Sequence, residues 1–194
     1  MDQQEKQRKD HAEGKRQNPR HIPSEGTMES KPKAHLFAFA VMALFIFVFL
    51  GSEYHFDIAY GELAGPDSVV GAQASILATS AIGLVGYSLV NRTAAAKHRS
   101  ILAGMLGTAS ALLVIATQLT QNASALLSLG CLLFLILGML GNATYFSVAL
   151  THFASRSLSR LVGTSYAAGL LAQFLLHSLA PNSIVEAAII GVSA

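Results

Sequence analysis

Residues 34–51, AHLFAFAVMALFIFVFLG, form an apolar run without a charged side chain. A bilayer core about 30 Å thick is crossed by about 20 apolar helical residues, so this run indicates a spanning helix. Four more uncharged apolar runs follow, and a sixth begins near the last residue given. They cover 69–90, 101–119, 123–150 and 161–180, with the sixth at 184–194. The sequence therefore predicts an all-α integral membrane protein, a polytopic bundle of five spanning helices and a truncated sixth.

Residues 1–33 differ sharply from the rest of the chain, because they hold eight of its 13 Lys and Arg residues and six of its 11 acids. A segment with so little apolar surface has nothing to bury. We therefore predict a disordered basic cytoplasmic tail ahead of a transmembrane bundle over 34–194. Its basic clusters could bind anionic lipid at the inner leaflet, or the tail could be a solvated segment that only reinforces orientation.

The charged residues outside the tail alternate between the two sides of the predicted membrane. The other five Lys and Arg lie within 91–100 and 151–160. The segments on the opposite side carry only acids, namely Glu53, Asp57, Glu62, Asp67 and Glu186. Loops rich in Lys and Arg stay in the cytoplasm. The pattern predicts a multi-pass protein of the inner (plasma) membrane with a cytoplasmic amino terminus and an outside loop at 52–67.

Glycine pairs spaced by three residues occur on the second, third and fourth predicted helices. The six are Gly83, Gly86, Gly104, Gly107, Gly138 and Gly141. Small residues let helix backbones approach closely in lipid, where packing drives association. We interpret these glycines as helix-packing positions, which would also accommodate partner helices or a second copy of the chain.

Polar side chains inside the apolar runs are the candidates for binding an unknown small ligand. They are Asn142, Tyr145, Tyr166, Gln173 and His177. A buried amide without a partner costs on the order of 2–7 kcal/mol, so each amide needs either an interhelical hydrogen bond or a polar cavity. Tyr166, Gln173 and His177 follow the spacing i, i+7, i+11 and share one helical face. His177 lies near the outer interface, where it is either simply wetted or linked to proton binding.

Motifs of catalysis and metal binding are missing from the sequence. It contains no His-Glu-x-x-His, nucleophile elbow or phosphate loop, and its single cysteine is Cys131. We therefore expect no enzymatic activity, catalytic residue, metal or cofactor. None of the predicted spans contains Asp or Glu, which weighs against proton-coupled transport by these residues alone.

Residues 138–177, GMLGNATYFSVALTHFASRSLSRLVGTSYAAGLLAQFLLH, carry a family resemblance. The matching features are Gly141 with Ala143 and Tyr145, Ala149-Leu150, a short Ser/Arg loop, Gly163, and Leu170-Leu171 before Gln173. This stretch resembles the amino-terminal membrane domain of LuxR-type bacterial transcriptional regulators. The resemblance implies a major-facilitator-like membrane region ahead of a DNA-binding domain, with no direct nucleic-acid contact by the membrane region.

The loop after the second predicted helix departs from the major-facilitator pattern. That family has a Gly-x-x-x-Asp-Arg type motif there, whereas Gly86 is followed by Asn91-Arg92, one residue farther on and with Asn for Asp. The bundle still resembles the first half of a major-facilitator fold, but the departure counts against its usual transport chemistry.

Three functions remain open at this point. The chain is a sensory or anchoring membrane domain of a LuxR-type regulator without its output domain, a fragment of a transporter, or a small accessory membrane subunit. A downstream helix-turn-helix would favour the first, six more spanning helices the second, and a stop codon after Ala194 the third.

Overall fold

The computed structural model describes residues 31–93, 96–152, 158–179 and 183–193. The chain divides into two units, Met1–Pro32 and Lys33–Ala194. The helices belong to the second unit, apart from the first two residues of α1. Residues 1–30 of the predicted tail lie outside the described residues. The described residues form six α-helices, which are α1 (Lys31–Ala64), α2 (Val69–Thr93), α3 (Ala96–Leu119), α4 (Ala123–His152), α5 (Leu158–Leu179) and α6 (Ser183–Ser193). In these ranges the chain has no β-strand.

The first helix continues 13 residues beyond its predicted end at residue 51, so 52–64 is helical and not a loop. Hydropathy falls at Ser52 and Glu53, but polar residues alone do not end a helix. The helix ends at Ala64 because Gly65 takes a φ of 88° and Pro66 follows it. The Gly65 amide donates to the Gly61 carbonyl at 3.0 Å, and a 3₁₀ turn, Pro66–Ser68, leads into α2.

Four of the described helices are long and apolar enough to cross a membrane. These stretches are Ala34–Ala64, Pro66–Asn91, His98–Leu119 and Ala123–Leu150. The fifth helix, α5, is 22 residues long but is not among them. Its hydropathy is lowered by Arg160, Gln173 and His177, so length and composition support four of the five predicted spans.

The core forms where α1 and α4 meet the other helices. On α4 the buried side chains Leu126, Leu133, Phe134 and Leu137 recur at helical spacing. They join one apolar cluster with Phe47, Val48, Phe56, Ala72, Ile76, Val114 and Ile190, so α1, α2, α3 and α6 all contribute to the same core. The outer faces of α2, α3 and α5 expose large apolar side chains, as helix faces toward lipid do.

The second and fourth helices touch backbone to backbone through one glycine on each side. A Cβ atom placed on Gly83 would overlap the Leu135 carbonyl oxygen, and one placed on Gly138 would overlap the Ser80 carbonyl oxygen. Each glycine therefore faces the residue three positions before the other glycine. This reciprocal contact fixes the register and the separation of α2 and α4.

The fifth helix packs on α1 through a narrow strip of four buried residues, Leu161, Ser165, Gly169 and Gln173. The Ser165 hydroxyl donates to the Phe39 carbonyl at 3.3 Å. A Cβ atom on Gly169 would lie 2.7 Å from the Ala43 carbonyl oxygen, so the two backbones are close there as well. The neighbouring large residues Leu170, Leu171 and Phe174 are exposed.

Candidate ligand cleft

One face of α1 carries aromatic rings and then a carboxylate. Phe45, Phe49 and Glu53 follow one another at four-residue spacing and therefore lie on one side of the helix. Phe45 meets the ring of Tyr145 edge-on at 6.3 Å between centroids, and Phe49 meets Phe134 in the same way at 5.3 Å. These contacts hold the rings between α1 and α4.

A cavity of about 410 Å³ opens beside this aromatic face. We call it the aromatic cleft. Its walls are Phe45, Ile46, Phe49, Leu50 and Glu53 of α1, Leu77, Ser80 and Leu84 of α2, Gly138, Gly141 and Tyr145 of α4, and Tyr166 of α5. The volume lies within the range of small-molecule sites, about 300–1,000 Å³.

Among the residues that the structure describes, Glu53 is the only charged side chain in the lining of the aromatic cleft. The Gln73 amide donates to Glu53 Oε1 at 2.9 Å, which ties α2 to α1. One turn further along α1, Asp57 Oδ1 is buried without a hydrogen-bond partner among the described residues. The predicted spans held no acid, because residue 51 was taken as the end of the first. The structure corrects this by placing three acids, Glu53, Asp57 and Glu62, on the first helix.

A second cavity, about 300 Å³, lies on the other side of α1 against α5 and is called the histidine cleft. Its lining is Leu50, Tyr54, Leu170, Gln173, Phe174 and His177. The Tyr54 hydroxyl and His177 Nε2 are 2.9 Å apart, with the hydroxyl as donor in one histidine tautomer and Nε2–H in the other. The rings also meet edge-on at 4.7 Å. This pair joins α1 to the end of α5.

The five predicted ligand-lining residues do not form one site. Tyr145 and Tyr166 line the aromatic cleft, whereas Gln173 and His177 line the histidine cleft. Although Tyr166 was predicted to share a face with Gln173 and His177, it is half-exposed while Gln173 is buried toward α1. The predicted polar stripe is therefore divided between two cavities.

Asn142 lines neither cleft. Its amide donates to the Leu84 carbonyl and, at 2.8 Å, to the Ser88 hydroxyl, both on α2. The sequence allowed two roles for the Asn142 amide, an interhelical hydrogen bond or ligand binding. The structure shows the hydrogen bond. Asn142 thus joins α4 to α2 near the glycine contact.

The six predicted packing glycines also differ in what they touch. Gly83 and Gly138 form the contact between α2 and α4, and a Cβ atom on Gly141 would lie 2.6 Å from Phe45 Cζ. A Cβ atom on Gly86 or Gly104 would meet no described atom within 4 Å. Gly104 and the buried Gly107 instead line a groove of about 620 Å³ between α3 and α6.

Close approaches at Gly51, Gly130 and Gly169 were not predicted. A Cβ atom on Gly51 would lie 2.6 Å from Ile190 Cδ1, and Gly130 accommodates the Phe56 ring. The spacing of Gly169 from Leu161, Ser165 and Gln173 could have identified the strip on α5, because these residues recur every four positions.

In the described part of the chain, no three His, Cys, Asp or Glu side chains lie close enough together to hold a metal ion. Compared with known proteins, the chain matches no family model, no curated protein and no solved structure.

Proposed function

We propose that this chain is a multispanning protein of the inner membrane that binds a small, mostly apolar molecule in the aromatic cleft and acts as a sensory membrane domain. The observation that carries the proposal is the cleft itself, a cavity of about 410 Å³ with aromatic walls and one carboxylate. Few polar groups in an otherwise apolar cavity are typical of small-molecule sites, where they fix the orientation of the ligand.

The length of α1 supports a position for the cleft within the membrane. Nineteen residues separate Ala34 from Glu53, which is about 28 Å of helix at 1.5 Å per residue. If the apolar run enters the bilayer core at Ala34, Glu53 lies near the outer end of a core about 30 Å thick. The aromatic part of the cleft then extends from Glu53 toward the cytoplasmic side.

A sensory role is supported by a difference in packing, because α2 and α4 are in close backbone contact whereas α5 is attached to α1 by a narrow strip. The cleft is shared by α1, α2, α4 and α5, so a ligand there would contact all four. The reciprocal glycine contact locks α2 to α4, whereas α5 is held on α1 by its narrow strip. A ligand shifts a conformational equilibrium only if it binds one state better. In our proposal the two states differ in the position of α5, and the ligand binds one of them better.

This role is also what the resemblance of residues 138–177 to LuxR-type regulators implies. In that form of the proposal the bundle senses a ligand, and a DNA-binding domain outside residues 1–194 responds. The major-facilitator-like topology, the fifth membrane crossing by α5 and the cytoplasmic amino terminus belong to the same proposal.

Saturable photolabelling tests whether the aromatic cleft binds ligands. The full chain in phosphatidylcholine nanodiscs is irradiated with neutral, cationic and anionic phenyl diazirines, with and without excess non-photoreactive analogue. At least one probe should label α1 and α4 saturably, and Leu77→Trp, which places an indole in the cleft, should abolish that labelling. Leu112→Trp, at a 63% exposed position on α3 outside the cleft lining, is the matched control. Only non-saturable labelling with all three probes would contradict the proposal.

A transporter fragment is the second candidate, and Glu53, near the outer end of the bilayer core, favours it. Ionisable groups inside membrane spans often belong to ion or proton pathways. Sealed vesicles that contain the chain separate the two functions. A transporter would move a labelled ligand across the bilayer over many turnovers, whereas a sensor would bind about one equivalent and move none.

A further inference from the structure

We infer that the ligand of the aromatic cleft is an organic cation, an ammonium group on an apolar body, with the ammonium against Glu53 and the body among the rings. This inference rests on the proposed function and names the class of ligand for the same site. It follows from the charge of the lining, the bonding of Glu53 and the chemistry of the rings.

The charge of the lining excludes an anion. In the described part of the chain, Glu53 is its only charged residue, and no Lys or Arg lines the cleft. Among the described residues, Glu53 accepts one hydrogen bond, from Gln73, and forms no ion pair. Glu53 is partly buried and has lost part of its contact with water without a counter-charge nearby, and a bound cation would supply that counter-charge.

The aromatic walls favour a cation over a neutral molecule of the same shape. Four of the lining residues, Phe45, Phe49, Tyr145 and Tyr166, have aromatic rings. The face of an aromatic ring attracts ammonium groups, with a larger effect where water is excluded. The carboxylate lies one turn beyond Phe49, so a single head group can contact both kinds of partner.

The test compares two photoprobes that share one reactive body. One is 3-trifluoromethyl-3-phenyldiazirine, and the other carries a trimethylammonium-methyl group on the same ring. Both are titrated on the full chain in phosphatidylcholine nanodiscs, and saturable labelling is mapped by mass spectrometry. The cation should label peptides around Phe49 and Tyr145 at about tenfold lower concentration than the neutral parent, equal to about 1.4 kcal/mol.

Two variants, each of which removes one carboxylate from α1, test whether Glu53 contributes to the preference for the cation. Glu53→Gln should weaken labelling by the cation and so reduce its preference over the neutral parent, with the part due to the aromatic rings retained. The melting temperature of the variant, measured alongside, shows that it is folded. Glu62→Gln removes an exposed charge from the same helix, outside the cleft lining, and should leave the preference intact.

The outcomes separate the two proposals. Equal affinity for both probes, or a preference for the cation that Glu53→Gln leaves undiminished, would overturn the ligand class while the cleft remains a binding site. Tighter binding of an anionic diazirine would also overturn it. If no probe labels the cleft saturably, the proposed function fails together with this inference.

Discussion

Replacing Gly83 by alanine should force α2 and α4 apart. The added Cβ atom would overlap the Leu135 carbonyl oxygen and lie 3.0 Å from its carbon and 3.1 Å from the Met139 nitrogen. These atoms belong to helix backbone and cannot rotate away. A gap of about 0.5–1 Å between packed surfaces loses about a quarter to a half of each dispersion contact, and overpacking of this kind costs about 1–3 kcal/mol.

Gly86→Ala is the matched control, because a Cβ atom there meets no described atom within 4 Å. Both substitutions gain the same helix propensity, about 1 kcal/mol, so this gain cancels in the comparison. Gly83→Ala should therefore be about 1–3 kcal/mol less stable than Gly86→Ala. Gly138→Ala, which meets Ser80, should behave like Gly83→Ala. The double variant should cost less than the sum, because one separation of the helices relieves both clashes.

The single cysteine provides the assay. Cys131 is half-buried on α4, so a maleimide dye reports the opening of the bundle as the detergent-solubilised protein is heated. A chain of this size loses about 2–4 °C of midpoint temperature per kcal/mol. Equal midpoints for Gly83→Ala and Gly86→Ala would refute the reciprocal glycine contact.

Three further predictions use the same thermal assay. Asn142→Leu removes two hydrogen bonds to α2 and should cost about 0.6–1.7 kcal/mol, and an unchanged midpoint would contradict this bonding. Tyr54→Phe removes an exposed hydrogen bond to His177 and should cost at most about 1 kcal/mol, so a larger loss would mean that this pair is a main attachment of α5. Gly65→Ala places a Cβ atom on a residue with φ 88° and ψ 152°, a region almost exclusive to glycine, and should cost about 1–3 kcal/mol. An increase in stability would show that the turn does not need glycine.

Hydropathy predicted the apolar helices well but not where the first of them ends. The fall in hydropathy after Gly51 marks the edge of an apolar run, whereas the helix continues because nothing before Gly65 and Pro66 stops it. The polar residues Ser52 and His55 lie on this extension of the helix and are buried in the bundle. Their polar side chains therefore did not mark an exposed loop. A turn signal was therefore the better guide to this boundary.

The helix faces could not be predicted, because residue spacing does not fix how a helix is rotated against its neighbours. Gly83 and Gly86 look alike in the sequence, yet only Gly83 contacts α4. Tyr166 and Gln173 share a face by spacing, but α1 packs against the strip that includes Gln173 and leaves Tyr166 in the aromatic cleft.

The acid of the cleft was missed because Glu53 lay in a predicted loop. Once α1 is continued to Ala64, the four-residue spacing of Phe45, Phe49, Glu53 and Asp57 places both acids on the aromatic face. This spacing is visible in the sequence. The partner of Glu53, Gln73, depends on the hairpin turn at Gly65 and needed the structure.

The most direct test of the proposed membrane protein is the sidedness of two exposed positions. With Cys131→Ser as background, Asp67→Cys lies in the turn between α1 and α2, and Ser100→Cys lies near the start of α3. A membrane-impermeant maleimide should label Asp67→Cys in intact cells and Ser100→Cys only after permeabilisation. Labelling of both in intact cells, or the reverse pattern, would contradict a bundle that spans the membrane with its basic segments in the cytoplasm.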